Sequence, residues 1–571
     1  MESSENLMSF LGKNSTLVRD ALSSLEREKI VPRVWNKDAS LWKNDSETQR
    51  LISDRLGWLT VAETMSGRIS ELLDFKEYIL NAGFKDVVLL GMGGSSLCPE
   101  VLRTIFGVAA GCPQFHVLDT TNPSTICRIE MGINLEKTLF ILASKSGSTI
   151  EVDSLYRYFL KKTESIHSIR AGSQFIAITD SGTPLEKMAR ERNFLKVFVN
   201  PSDIGGRYSA LSYFGLVPAL LIGMDLGVFI NRALGMMNKC RSEISPHQNP
   251  GIQLGVILSI FGSKGKNKVT FVMPPSIRNF GIWLEQLIAE STGKEGFGLV
   301  PVEGERLGDA GCYGDDRLFV FYNLISERDS NQDKLIDQLS HAGHPVVVLN
   351  IKDLYDLAGE FFRWELATAT VGIPWHINPF DEPNVKESKE NTQKILEIFN
   401  TSGKMPESKV ILTEKGVTLF GDQPLTEGAG LGEILKRFLM DLPQSYYLAL
   451  LAYIDPSDEH ENLLQEIRLL VRNRFRLATT LGYGPRFLHS TGQLHKGGKK
   501  EGAFIQITSQ HSKDLEIPGK AYSFDVLNRS QSLGDLEALK KRGFPVLCLH
   551  LNQPSEIGLK YIAGELKRVL K

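Results

Sequence analysis

Five short apolar runs, Val87–Leu90, Phe115–Leu118, Thr138–Ala143, Phe175–Ile178 and Lys196–Val199, alternate with stretches that carry helical spacing, such as Glu100–Phe106 and Tyr156–Lys162. A chain with this alternation has to cover both faces of its strands with helices, and the arrangement that does so is a doubly wound parallel sheet. Ligands of such sheets sit beyond the carboxyl ends of the strands. Two segments of special chemistry lie at such ends: Gly91-Met-Gly-Gly-Ser-Ser-Leu follows the first run and Ser144-Lys-Ser-Gly-Ser-Thr-Ile-Glu follows the third.

The pattern repeats further on. Strands are expected at Lys268–Val272, Leu318–Tyr322 and Val346–Leu349, with a helix at Phe280–Ser291. After Pro406 come short Lys/Glu/Gly-rich segments, then the elements Tyr447–Ile454, Glu461–Phe475, Ala503–Thr508 and Val546–Leu549. Before the first run, amphipathic spacing at Leu17–Leu25 and Glu47–Leu59 reads as helical. The expected organisation is therefore a helical N-terminal region (1–80), two α/β domains (81–245 and 246–405) and a C-terminal α/β domain (406–571).

Across 571 residues the net charge is −2, which leaves no electrostatic footprint for nucleic acid or an anionic membrane. The six cysteines (98, 112, 127, 240, 312 and 548) show no CxxC or His-linked spacing, so neither a metal site nor a disulfide framework is expected. The polar start Met1–Asn6 lacks the basic and apolar regions of a signal peptide, and no apolar run approaches the ~20 residues of a spanning helix. A cytoplasmic protein is expected.

The segment after the third run suits an anion. Ser144, Ser146, Ser148 and Thr149 carry hydroxyl donors, Gly147 lets the backbone approach, and the following helix offers its N-terminal N–H groups. Ser/Gly turns that only cap helices are common, so the stretch gains weight from its neighbours. Gly93, Gly94 and Ser95 permit close approach of a sugar or phosphate, whereas a dinucleotide fingerprint would need a third glycine where Ser96 stands. Gln286 and Glu290, four residues apart, share one face of a mostly apolar helix. A Glu there is either turned to solvent or held for proton transfer.

Taken in order, five segments resemble the phosphoglucose isomerase family, whose members pair two sugar-isomerase domains. They are the two strand-end segments, Asp203-Ile-Gly-Gly-Arg-Tyr-Ser-Ala-Leu-Ser, Gln286-Leu-Ile-Ala-Glu-Ser-Thr-Gly-Lys and Asn378-Pro-Phe-Asp-Glu-Pro-Asn-Val-Lys-Glu-Ser-Lys. Trp35–Trp42 and Tyr483–Gly498 further resemble the isomerase half of bacterial transaldolase fusions. The resemblance implies isomerisation of a hexose phosphate between glucose 6-phosphate and fructose 6-phosphate through an enediolate, without cofactor or metal, with mannose 6-phosphate as an additional substrate to test and room for a homodimer. It implies Glu290 as the base, Arg207 as the cation facing the enediolate, and Lys389 near the ring oxygen.

Two departures stand out. Glu382 takes the place of the family's Gln, so either it turns away or a nearby cation such as Lys386 or Lys389 offsets its charge. The family's Gly-Gln-His segment is absent, and His489 is the best candidate for ring opening, ahead of His341 and His344. His495, followed by Lys496-Gly-Gly, reads as an exposed turn. A non-catalytic phosphosugar sensor is the competing class; it needs the Ser144–Thr149 cradle but has no use for Gln286, Glu290 and Arg207 together.

Overall fold

The computed structural model describes residues 7–328, 330–406, 408–421, 429–552 and 554–571, so Met1–Asn6 lies outside it. The first sheet contains β1 (Asp86–Gly91), β2 (Gln114–Leu118), β3 (Thr138–Ala143), β4 (Phe175–Asp180) and β5 (Lys196–Asn200) in the order β2-β1-β3-β4-β5, all parallel. The middle strands β1, β3 and β4 are buried along their whole length, as sheets covered on both faces require. A second parallel sheet runs β7-β6-β8-β9, from β6 (Lys268–Val272), β7 (Val300–Val302), β8 (Arg317–Leu324) and β9 (Val346–Ile351).

The third sheet has the order β10-β11-β15-β14-β12-β13, with β10 (Val410–Glu414), β11 (Val417–Phe420), β12 (Tyr447–Tyr453), β13 (Ala478–Tyr483), β14 (Gly502–Ser509) and β15 (Val546–Leu551). Its last four strands in the chain are mutually parallel, and β11 runs antiparallel to β15, bringing the β10–β11 hairpin to one edge. The α/β class expected from sequence is the class observed. Four strands escape the apolar-run reading: three-residue β7, the polar Ala478–Tyr483 strand, and the two strands of the β10–β11 hairpin.

Residues 7–81 are helical with turns, and Leu56–Trp58 packs onto the 203–208 segment. The expected helix over Glu47–Leu59 divides into a helix at Ser46–Ser53 and a short turn at Gly57–Leu59. Leu56 forms an antiparallel bridge with Ile204, and a Cβ on Gly57 would lie 2.2 Å from the Asp203 carboxylate, so the chain is bent onto the 203–208 segment. Trp58 then stacks at 5.4 Å on Tyr208, and Trp42 donates to the Ala369 carbonyl at 2.8 Å.

Candidate active site

The winding of the first sheet reverses between β1 and β3, and Gly91 pairs with Ala143 there, so both Gly/Ser segments emerge side by side at the switch point. Two glycines in the first segment are required by contact. Gly93 has a φ of +55°, and a Cβ on it would lie 2.7 Å from the His489 carbonyl oxygen and 2.9 Å from Gln286 Nε2. A Cβ on Gly94 would lie 2.2 Å from the carbonyl of Gly206. Ser95 closes the same turn and is buried. These contacts bring four sequence-distant segments to one place.

The second segment is organised by its own hydroxyls. Ser144 Oγ and Thr149 Oγ1 share a hydrogen bond of 3.0 Å, Gly147 N–H donates to Ser144 Oγ at 3.1 Å, and the Ser146 and Ser148 hydroxyls lie 3.2 Å apart on the exposed lip. Lys145 is turned aside into an ion pair with Asp180. The helix Ile150–His167 begins directly after Thr149, so the positive end of its dipole opens onto the loop.

Arg207 sits in the short turn Gly206–Tyr208 with its side chain 2 % exposed. Its Nε donates to Ser291 Oγ at 2.7 Å, and Nη2 donates to the carbonyls of Pro379 and Asp381 at 2.7 and 2.8 Å. The remaining nitrogen, Nη1, lies 3.6 Å from Glu290 Oε1 and 3.2 Å from Glu382 Oε2. Glu290 lies on the helix Phe280–Thr292, where Gln286 Nε2, one turn earlier, donates to its Oε2 at 3.0 Å. Burial pushes the Glu290 carboxyl above the ordinary glutamate range; Arg207 opposes this and the Glu382 charge adds to it.

Gln286 Nε2 also donates to the His489 carbonyl at 2.7 Å, which joins the helix of Glu290 to the C-terminal part of the chain. His489 ends the turn Arg486–His489, and its Nε2 lies 2.9 Å from Glu151 Oε1. Gln531 Nε2 donates to the same carboxylate oxygen at 2.7 Å. Although burial alone would raise it, Glu151 is held below the ordinary glutamate range, chiefly by the charge and hydrogen bond of His489 with help from Lys389. Lys389 itself is exposed on the helix Val385–Ser402.

Residues 70–305 match the phosphoglucose isomerase family. A probable glucose-6-phosphate isomerase of Methanococcus maripaludis is 28% identical over 407 residues, covering 64% of this chain and 90% of that protein. The glucose-6-phosphate isomerase of Campylobacter jejuni is 26% identical over 387 residues, covering 60% of this chain and 93% of its own. Among solved structures, a hypothetical protein of Thermus thermophilus superposes with a TM-score of 0.58 at 24% identity, over 68% of this chain and 98% of that one. A glucose-6-phosphate isomerase of Chlamydia trachomatis gives 0.55 at 20% identity, over 68% and 87%; these two likenesses speak to the fold.

Gly93, Gly94, Ser95, Ser144, Ser146, Ser148, Thr149, Arg207, Gln286 and Glu290 all fall inside the family-matched segment, whereas Lys389 and His489 fall outside it. The structure nonetheless brings His489 to the others. The remaining histidine candidates stand elsewhere: His341 is exposed at a helix end, and His344 is buried against Phe319. His495 corrects the expectation of an exposed turn. It lies within the helix Gly492–Gly497, is 3 % exposed, packs on Phe504, and is followed by Lys496, whose ammonium is buried on Asp535 at 2.6 Å. Burial holds its imidazole well below the usual histidine range.

The cation beside Glu382 is Arg207, at 3.2 Å, whereas Lys386 pairs with Glu390. Residues that sequence reasoning passed over also shape the site. Glu151 was quoted as the end of a loop, yet it holds the histidine. Gln531 carries no motif of its own, and Ser291 and Lys294 lie in the Gln286–Lys294 segment without a role that the sequence assigns. Lys294, buried and pushed down to about 8, donates to the Asn378 carbonyl at 2.6 Å and to Asp381 Oδ1 at 2.7 Å, which clamps the loop bearing Glu382. A cavity of about 230 Å³ lined by Arg103, His116, Asp119, Arg128 and Arg486 lies beyond β2, and none of the predicted site residues lines it. Among the described residues no helix is long and apolar enough to cross a membrane, and no cluster of three or more His, Cys, Asp or Glu could hold a metal ion.

Proposed function

We propose that this chain interconverts glucose 6-phosphate and fructose 6-phosphate. The observation that carries the reading is the buried Glu290–Arg207 pair: a carboxylate whose proton affinity is raised stands 3.6 Å from a cation that cannot lose its charge. Glu290 removes the proton from C2 of the open aldose, and the negative charge that develops on the enediolate oxygens is stabilised by Arg207. A proton moves from O2 to O1, and Glu290 returns its own proton to C1, giving the ketose. The reaction is redox-neutral within one substrate and calls for no cofactor.

Phosphate binding falls to Ser144–Thr149 and the Ile150–His167 helix terminus, 

with Gly93, Gly94 and Ser95 leaving room for the sugar. Ring opening falls to His489. Its Nε2–H donates to ionised Glu151, which leaves Nδ1 as the nitrogen that exchanges a proton with the ring oxygen. Lys389, whose charge acts on Glu151, assists departure of that oxygen. The division at residues 81, 246 and 406 belongs to the same proposal, with the last domain supplying the histidine. So do a cytoplasmic location, a homodimer, and kinship with the isomerase half of transaldolase fusions, which rests on Trp35–Trp42 and Tyr483–Gly498.

A phosphosugar sensor would use the cradle and leave a buried base facing a buried arginine without purpose. A coupled assay of the purified protein with fructose 6-phosphate tests the reading: formation of glucose 6-phosphate is expected, and binding without turnover would favour the sensor.

A further inference from the structure

Arg207 divides one nitrogen between two carboxylates. Its Nε and Nη2 are used on Ser291 and on the carbonyls of Pro379 and Asp381, and Nη1 faces both carboxylates, Glu290 at 3.6 Å and Glu382 at 3.2 Å. The two acids differ in surroundings. Glu290 is 9 % exposed and hydrogen-bonded by Gln286, while the Glu382 side chain is 52 % exposed at the end of a loop held by Lys294. Glu382 is thus the solvent-facing member of the pair and Glu290 the buried one.

We infer that Glu382 is a tuning residue for the base: by sharing Arg207 Nη1 and setting a second negative charge beside Glu290, it keeps Glu290 able to take a proton from carbon. The inference rests on the isomerase reading above. The charged groups facing Glu290 are Arg207 from the Gly206–Tyr208 turn, Lys294 just past its own helix, and Glu382 from the 378–384 loop; Gln286 adds a neutral donor. Two cations beside a base make it a poor one. Asp381 answers Lys294 at 2.7 Å, and Glu382 answers Arg207. The backbone role of the residue, accepting from Val385 N–H at 3.4 Å, would be kept by any side chain, so the carboxylate is not explained by loop geometry.

Both acids reach one nitrogen, so their oxygens stand within ~7 Å, where removing one charge shifts the other acid by about 0.5–1.5 pH units. The experiment compares wild type with Glu382→Gln and Glu382→Asp in two ways: the pH profile of kcat/KM for fructose 6-phosphate, and an infrared titration of the Glu290 carboxyl, assigned by its loss in Glu290→Gln. In Glu382→Gln the acid limb and the infrared midpoint should both move to lower pH by that amount, and Glu382→Asp should bring both back toward wild type. An infrared midpoint unmoved in Glu382→Gln overturns the inference, whatever the activity. A moved midpoint in a protein that leaves both hexose phosphates unchanged overturns the isomerase reading, and with it the catalytic purpose of the tuning, while still showing that the two acids are coupled.

Discussion

Replacing Glu151 with Gln separates ring opening from chemistry at carbon. The carboxylate is 3 % exposed and accepts from His489 Nε2 at 2.9 Å and Gln531 Nε2 at 2.7 Å. The substitution keeps the shape and removes a charge-assisted hydrogen bond worth about 1.5–3 kcal/mol. If that energy holds the imidazole in the tautomer that presents Nδ1, its loss slows turnover of cyclic fructose 6-phosphate by about 10- to 150-fold, at ~1.4 kcal/mol per decade. Binding at the phosphate loop and at Arg207 is untouched, so inhibition by an open-chain sugar-acid phosphate should change little. The assay is steady-state isomerisation beside the inhibition constant of that open-chain analogue. Full turnover in Glu151→Gln would refute the pairing of Glu151 with a catalytic His489, and equal losses in turnover and inhibitor binding would show a collapsed site.

Removing Ser144 and Thr149 hydroxyls together should raise KM for fructose 6-phosphate at least ~10-fold, since each donor to a charged phosphate is worth about 1.5–3 kcal/mol; an unchanged KM would place the phosphate elsewhere. Glu365 is fully buried with neither oxygen hydrogen-bonded, and burial raises its carboxyl well above the usual range. Its folded-state proton affinity exceeds the unfolded one, so its contribution to stability is complete below an unfolded value of about 4.3 and is lost as pH rises, at ~1.4 kcal/mol per unit while the native acid stays protonated. Glu365→Gln should therefore gain on wild type progressively between pH 5 and 8 in urea unfolding, and parallel stability curves would contradict this. His495→Ala should lower stability by about 2–4 kcal/mol through the cavity left among Tyr447, Phe487 and Phe504, measured by the same unfolding; a loss under ~0.5 kcal/mol would contradict the packing role.

How much of this was legible in the sequence follows from where each signal is stored. Apolar runs report strands buried on both faces, so β1, β3 and β4 were plain, while Ala478–Tyr483, with Thr479 and Thr480 in its middle, was not. The Ser144–Thr149 turn, Arg207 and the Gln286–Glu290 pair could be singled out because their signals are local: a turn, a short helical spacing, glycines that leave room. The partner of His489 was not readable, because Glu151 stands 338 residues from His489 and 380 from Gln531, its other donor, and only the docking of the third sheet brings them together. His495 was misread for a related reason. Gly497 and Gly498 looked like an open turn, yet a Cβ at Gly497 would meet Asn384 Oδ1 at 2.3 Å and Gln493 Nε2 at 2.5 Å. The glycines there serve tight packing, which sequence alone does not distinguish from exposure.

The central claim is that Glu290 carries the proton between C2 and C1. The measurement that bears on it most directly is incorporation of solvent deuterium into the hexose phosphate at equilibrium, comparing wild type with Glu290→Gln. Glutamine fits the same space beside Arg207 and Gln286 and cannot accept the proton, so the variant should still bind fructose 6-phosphate while exchange at C1 and C2 falls by at least about 1,000-fold, in the range expected for loss of a general base acting with its cation. Exchange at the wild-type rate in Glu290→Gln would remove Glu290 from that role.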